Sequence, residues 1–165
     1  MESGDSVTLK AVNKGVDGPE SIEAGKRVIA AGIKLSMMVI LGLAGADGTE
    51  RHALETAKAI SEIKPTYLSA LCLMLYRGSE LKDQFERGEF HPMPPYGLME
   101  ELKMIINNIE WKEGAHCIFR SNHVSNYVPL AGTLPKDNAN ILKALDYSIV
   151  QLKKQKKWDV YNHSF

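Results

Sequence analysis

Two nearly unbroken apolar runs dominate this sequence, Leu35 to Leu41 and Tyr67 to Leu75. Each holds a single serine, and their starts lie 32 residues apart. A strand with one wet face alternates apolar and polar residues, whereas a run apolar throughout fits a strand covered on both faces of a parallel sheet. Between the runs, Ala53, Leu54, Ala57, Ile60 and Ile63 recur at helical spacing over Glu50 to Lys64, and Pro65 ends that helix. Strand, helix and strand at this period make a parallel crossover unit, so the fold class is α/β.

The flanking sequence adds helices. Asp5 to Asn13 opens on a capping residue and carries Val7, Leu9 and Val12, which predicts a short helix stopped near Gly15. A second helix begins at Ser21, buries Ile22, Val28, Ile29 and Ala30, and closes at Gly32. Ser79 to Arg87 forms a short helix, and Pro92, Pro94 and Pro95 break the chain before the amphipathic stretch Leu98 to Ile109. His116 to Arg120 reads as a short strand. Asn138 to Gln155 reads as a last helix with Ile141, Leu142, Leu145, Ile149 and Leu152 on one face, and the residues after Trp158 are expected to be poorly ordered. Residues 1–90 thus hold the strand-helix units, and residues 91–165 form a mostly helical tail with a short strand near 116–120.

Bulk composition narrows the function classes. Lys plus Arg and Asp plus Glu number 20 each, so no net charge steers the molecule to nucleic acid or to an anionic membrane. No apolar run approaches the roughly 20 residues that span a bilayer, and no basic-then-apolar leader opens the chain, so a cytoplasmic location is expected. Cys72 and Cys117 are the only cysteines, which argues against a disulfide framework.

Chemistry in parallel sheets gathers where strands end. The first such place, Glu2-Ser3-Gly4-Asp5, has the polar-glycine character of a strand-to-helix turn but no strand before it. The second is the glycine-rich turn Gly42 to Glu50, which lets backbone N–H groups approach a ligand but matches no nucleotide fingerprint. Tyr76-Arg77-Gly78-Ser79 follows the second strand, and Arg120 to Tyr127 forms the densest polar cluster. His116, Cys117 and His123 match no standard zinc spacing. Cys72 reads as core, and His52, on the first turn of a polar-faced helix, reads as solvated. No catalytic residue and no metal site is assigned.

The segments ESGDSVTLKAVNKGV and EAGKRVIAAGIKLSMMVILGLAG resemble the second half of the radical S-adenosylmethionine barrel, where a strand ends in Glu-Ser-Gly and a helix follows. FRSNHVSNYVPLAGTLPKD is similar to the tail of an uncharacterised bacterial and archaeal branch of these enzymes, distantly similar to coproporphyrinogen dehydrogenase and the tRNA methylthiotransferases. The resemblance runs from residue 2 to about 145. It implies the C-terminal part of a partial parallel (βα) TIM-like barrel with a mostly helical tail. In that family a CxxxCxxC loop holds a [4Fe-4S] cluster whose fourth iron takes S-adenosylmethionine, and reduction yields a 5′-deoxyadenosyl radical.

None of those cysteines stands here, so the resemblance implies a fragment inactive by itself, with neither cluster nor cofactor expected on it. It would retain part of the cofactor cradle. Glu2 and Ser3 would reach the ribose or methionyl end, and Lys14 the methionyl carboxylate. Val39, Ile40 and Gly42 would pack against adenine, and Leu73 and Tyr76 would supply further adenine contacts. Arg120, Asn122, His123 and Asn126 would face the substrate. The implied partner is the missing N-terminal half of the barrel, and the uncovered edge of the Leu35 strand implies a homo-oligomer of the fragment, with no nucleic acid and no membrane. Two other readings compete: a stand-alone small α/β ligand-binding or structural module, and an independent enzyme using His123 and Arg120.

Overall fold

The computed structural model describes residues 1–155. Its strands are β1 (Ser36–Leu41), β2 (Tyr67–Cys72), β3 (Cys117–Ser121) and β4 (Leu130–Leu134). They form one sheet in the order β1-β2-β3-β4, parallel from β1 to β3, with β4 antiparallel to β3. The helices are α1 (Ser6–Ala11), α2 (Gly18–Ala30), α3 (Gly45–Ile63), α4 (Glu80–Glu86), α5 (Pro95–Asn108) and α6 (Asn138–Lys154). The expectation for residues after Trp158 lies outside the described residues.

Local chemistry sets the helix ends. Asp17 caps α2 in a reciprocal box with Glu20, and Pro19 sits in the first turn, so the helix starts before the expected Ser21. Pro95 likewise opens α5 three residues ahead of Leu98. The glycine-rich turn is shorter than the sequence suggests: α3 begins at Gly45, and Gly48 lies within it, close against the Ala44 methyl. The strand β4 was not foreseen; Leu130, Gly132 and Leu134 face the core opposite Ser121, Phe119 and Cys117.

The helices α3, α5 and α6 cover one face of the sheet. Met37, Val39 and Leu41 from β1, Leu68 and Ala70 from β2, and Phe119 from β3 meet Ala53, Ala57, Ile60, Met99, Leu102, Ile105 and Leu145 in a single core. Burying a large apolar side chain such as Phe119 is worth roughly 1.5–3 kcal/mol. The opposite face carries Ser36, Met38 and Ile40, then Tyr67, Ser69 and Leu71, then Ile118 and Arg120, all exposed or half-buried. Met38 is 46% exposed. The expectation that the first apolar strand is covered on both faces is therefore corrected: among the described residues, helices cover one face only.

The edge of β1 is also largely open. The outward-pointing backbone of β1 belongs to Ser36, Met38 and Ile40, because the alternate residues pair with β2. Ile40 N–H donates to the Glu2 carbonyl at 2.9 Å. Below that bond an apolar trough of about 280 Å³ follows the edge, lined by Met1, Leu9, Val28, Leu35, Ser36 and Met37 among others.

Candidate functional site

The parallel strands end together, and each end is fastened by a buried polar group. At the end of β1, Gly42 N–H donates to Glu101 Oε2 at 2.7 Å. Glu101 reaches there from α5, is 1% exposed, and also binds His52 Nδ1 on α3. His52 is fully buried, so its reading as a solvated residue is corrected; the carboxylate that draws it inward comes from a distant helix. Its Nε2 and the Thr49 hydroxyl have no hydrogen-bond partner. Gly42 has φ 79°, and a Cβ there would stand 2.6 Å from a Leu98 methyl, so both backbone and space demand glycine. Ala46 N–H donates to the His91 carbonyl at 2.7 Å, which pins the far side of the turn.

At the end of β2, Asn126 acts as a bolt. Its Oδ1 accepts from Cys72 N–H at 2.8 Å, and its Nδ2 donates to the Ala70 carbonyl at 2.8 Å and the Ser121 hydroxyl at 3.0 Å. The side chain thus ties β2 to β3 and has no free donor. His123 is exposed, and its Nδ1 accepts from Ser125 N–H at 3.2 Å, so the proton of the neutral ring sits on Nε2. Asn122 is exposed beside it. Arg120 lies on the uncovered face, its guanidinium against the Phe119 carbonyl at 2.7 Å.

The N-terminal segment crosses the top of β1 and docks on α3. Gly4 N–H donates to Thr56 Oγ1 at 3.0 Å, and a Cβ on Gly4 would stand 2.3 Å from the Glu55 carbonyl oxygen. Ser3 is buried and its hydroxyl accepts from Asp5 N–H at 2.9 Å. Asp5 caps α1 through Val7 and Thr8 and accepts from Arg51 Nε at 3.0 Å. Burial works to raise the Asp5 pKa, but hydrogen bonds from Thr8 and Arg51 outweigh it and hold the carboxyl below its ordinary range. Glu2 and Lys14 pair with each other at 3.0 Å.

Between the end of α1 and the end of β2 lies a cleft of about 280 Å³, lined by Asn13, Leu43, Leu73, Leu75, Tyr76 and Ser79 among others. Of the residues singled out from the sequence as a cofactor cradle, Leu73 and Tyr76 meet in this cleft. Ile40 lies on the uncovered sheet face, Val39 is buried on the helix-covered face, Gly42 is held by Glu101, and Ser3 is occupied by the α1 cap. The sequence reading missed Glu101 and the burial of His52, whereas Asp5 caps α1 as expected. An acidic residue amid the apolar positions of α5 was the available signal for Glu101.

The thiols do not fit an iron–sulfur ligand set. Cys72 and Cys117 are both buried, and desolvation pushes each pKa up to about 12. No group of three or more His, Cys, Asp or Glu side chains converges for a metal among the described residues. No helix among the described residues is long and apolar enough to cross a membrane.

No family model matches the chain. It is 31% identical over 93 residues to the uncharacterized protein MJ0486 of Methanocaldococcus jannaschii, a match covering 56% of this chain and 28% of that protein. Among solved structures it is similar to the archaeal Elp3 of Methanocaldococcus infernus, in a form with its N-terminus deleted. The TM-score is 0.63 at 17% identity, over 93% of this chain and 35% of that one. The chain therefore spans about a third or less of the length of these relatives. At that identity, the likeness to Elp3 is one of fold.

Proposed function

We propose that this chain is the C-terminal part of a radical S-adenosylmethionine enzyme barrel, forming one wall of its interior while the residues that hold the cluster lie in another part. The observation that carries this reading is the one-sided sheet. Parallel strands flanked by helices on one face alone, with half-apolar residues on the other, have the arrangement of a barrel wall seen from inside. The fold shared with Elp3, a member of the radical S-adenosylmethionine family, supports it. So does the open edge of β1, where the Ile40 amide is taken by the Glu2 carbonyl and an apolar trough lies beside the strand.

In this reading the cluster and S-adenosylmethionine belong to the assembled barrel, where reduction of the cluster supplies the electron that cleaves the sulfonium. This chain contributes surfaces. Leu73 and Tyr76 offer an apolar cleft of a size to take an aromatic base, Asn126 and Glu101 hold the strand ends in place around it, and Arg120, Asn122 and His123 stand on the substrate side. Lys14, paired with Glu2, meets a carboxylate only by exchanging that partner. Alone, the chain is inactive and associates with itself.

The test begins upstream of the codon for Met1, where a reading frame with a CxxxCxxC motif is expected. Its product, combined anaerobically with this chain, iron, sulfide and a reductant, should release 5′-deoxyadenosine from S-adenosylmethionine. Neither polypeptide should do so by itself. Absence of such a frame, or release by this chain alone, overturns the reading.

A further inference from the structure

We infer that α4 and its two flanking turns, residues 76–89, form a hinged flap over the cleft at Leu73 and Tyr76, which closes when a flat apolar ligand enters. No residue from Tyr76 to Glu89 is buried, and α4 packs along none of the other helices or strands. The scaffold on either side is fixed. Leu73 N–H donates to the Leu41 carbonyl at 2.9 Å. Beyond the segment, Phe90 is buried against Gly45, and the His91 carbonyl accepts from Ala46 N–H. A surface segment held at its ends and unsupported between them belongs to the least stable part of a fold.

Within itself the segment is tied together. Ser79 caps α4 at Lys82 N–H, Gln84 donates to Glu80 at 3.2 Å, and Arg87 pairs with Glu80 at 3.0 Å and with Glu89 at 2.8 Å. The bonds that cross its two ends are weak: Tyr76 hydroxyl to Met74 sulfur at 3.5 Å, and Phe90 N–H to the Gln84 carbonyl at 3.3 Å. The segment therefore swings as one body, pivoting where it joins Leu75 and Phe90, without breaking its own bonds. It forms one lip of the cleft, with Leu81 from α4 and Tyr76 from the leading turn; Ala11, Val12 and Leu43 also line it. Tyr76 is 62% exposed and Leu81 half-buried. A ring between these walls covers the apolar surface of both once the flap comes down on it, which is what drives closure. That the ring is adenine-like rests on the function proposed above; the flap itself is a property of this chain.

The experiment puts spin labels on Ala11→Cys and Gln84→Cys, both in the lining of the cleft, and measures their distance distribution by pulsed electron resonance. Cys72 and Cys117 are buried and stay unlabelled. Ala11→Cys with Lys58→Cys, at exposed positions of α1 and α3, is the control. Across the cleft the chain should show two distances, or one distribution clearly wider than the control, and millimolar adenosine should collapse it onto the shorter distance. Leu81→Ser, at a residue that is not buried, should keep both positions but need several-fold more adenosine to close. A distribution across the cleft as narrow as the control overturns the flap, and so does adenosine that binds by calorimetry while the distribution stays wide. A moving flap on a chain to which adenosine shows no binding overturns the adenine reading of the cleft instead and leaves the flap standing.

Discussion

Glu101 has two partners that nothing else in the fold replaces. Its carboxylate accepts from the Gly42 amide and holds His52, and all three are buried. Removing a buried acceptor strands its donors at a cost of about 1–3 kcal/mol, so Glu101→Leu is expected to lower the urea midpoint of unfolding by an amount in that range or above. Asn126→Ala, which orphans Cys72 N–H and the Ala70 carbonyl, should behave alike. Asp5 adds a dependence on pH. Its folded pKa lies below the ordinary value near 4, because Thr8 and Arg51 outweigh burial. The stabilisation is complete above the ordinary value and is lost as acid titrates the carboxyl through the lower folded value. Asp5→Asn should therefore be less stable than the parent at neutral pH and lose less stability than the parent on acidification below about pH 4, read from urea midpoints across that range. Asp5 was legible as a helix cap, but neither Glu101 nor Asn126 was legible as structural glue. His52 and Glu101 are 49 positions apart, and Asn126 is 54 from Cys72; spacing along a chain carries no sign of such partners.

At the scale of elements, what repeats locally was legible and what depends on a distant neighbour was not. The period of β1, α3 and β2 was readable because each sets its own apolar pattern. β4 was invisible, since Leu-Ala-Gly-Thr-Leu has weak strand propensity and exists by pairing with β3. Its Gly132 is there for space: a Cβ would stand 3.0 Å from both Asp137 and Ile141. The outer edge of β1 yields a test. Met38 N–H points away from β2, so proline is tolerable at that position in an edge strand. Met38→Pro should leave the chain folded by circular dichroism. It should also reduce the self-association that sedimentation at micromolar concentration is expected to show for the parent. A parent that sediments as a monomer would instead favour the stand-alone module.

For the whole molecule, the sequence announced a parallel sheet yet misjudged how it is covered. A strand inside a barrel wall and a strand sandwiched between two helical layers both present apolar residues on both sides, so the run Leu35 to Leu41 reads the same in either. The arrangement in space shows only which face is covered, through the 46% exposure of Met38 and the exposed Arg120 on the bare face. The cleft at Leu73 and Tyr76 was legible because it follows directly from the end of a strand. The trough beside β1 was not, because its walls come from Met1, α1, α2 and β1 together.

The single bond from Ile40 to Glu2 turns one amide into a clock for the behaviour of the chain's first residues. The Val39 amide, locked between strands, should take up deuterium only when the domain opens, whereas Ile40 should do so each time the leading dipeptide lifts off. A native-state exchange measurement should find Ile40 the faster of the two. The gap should close when any extended peptide settles alongside and carries the ladder on.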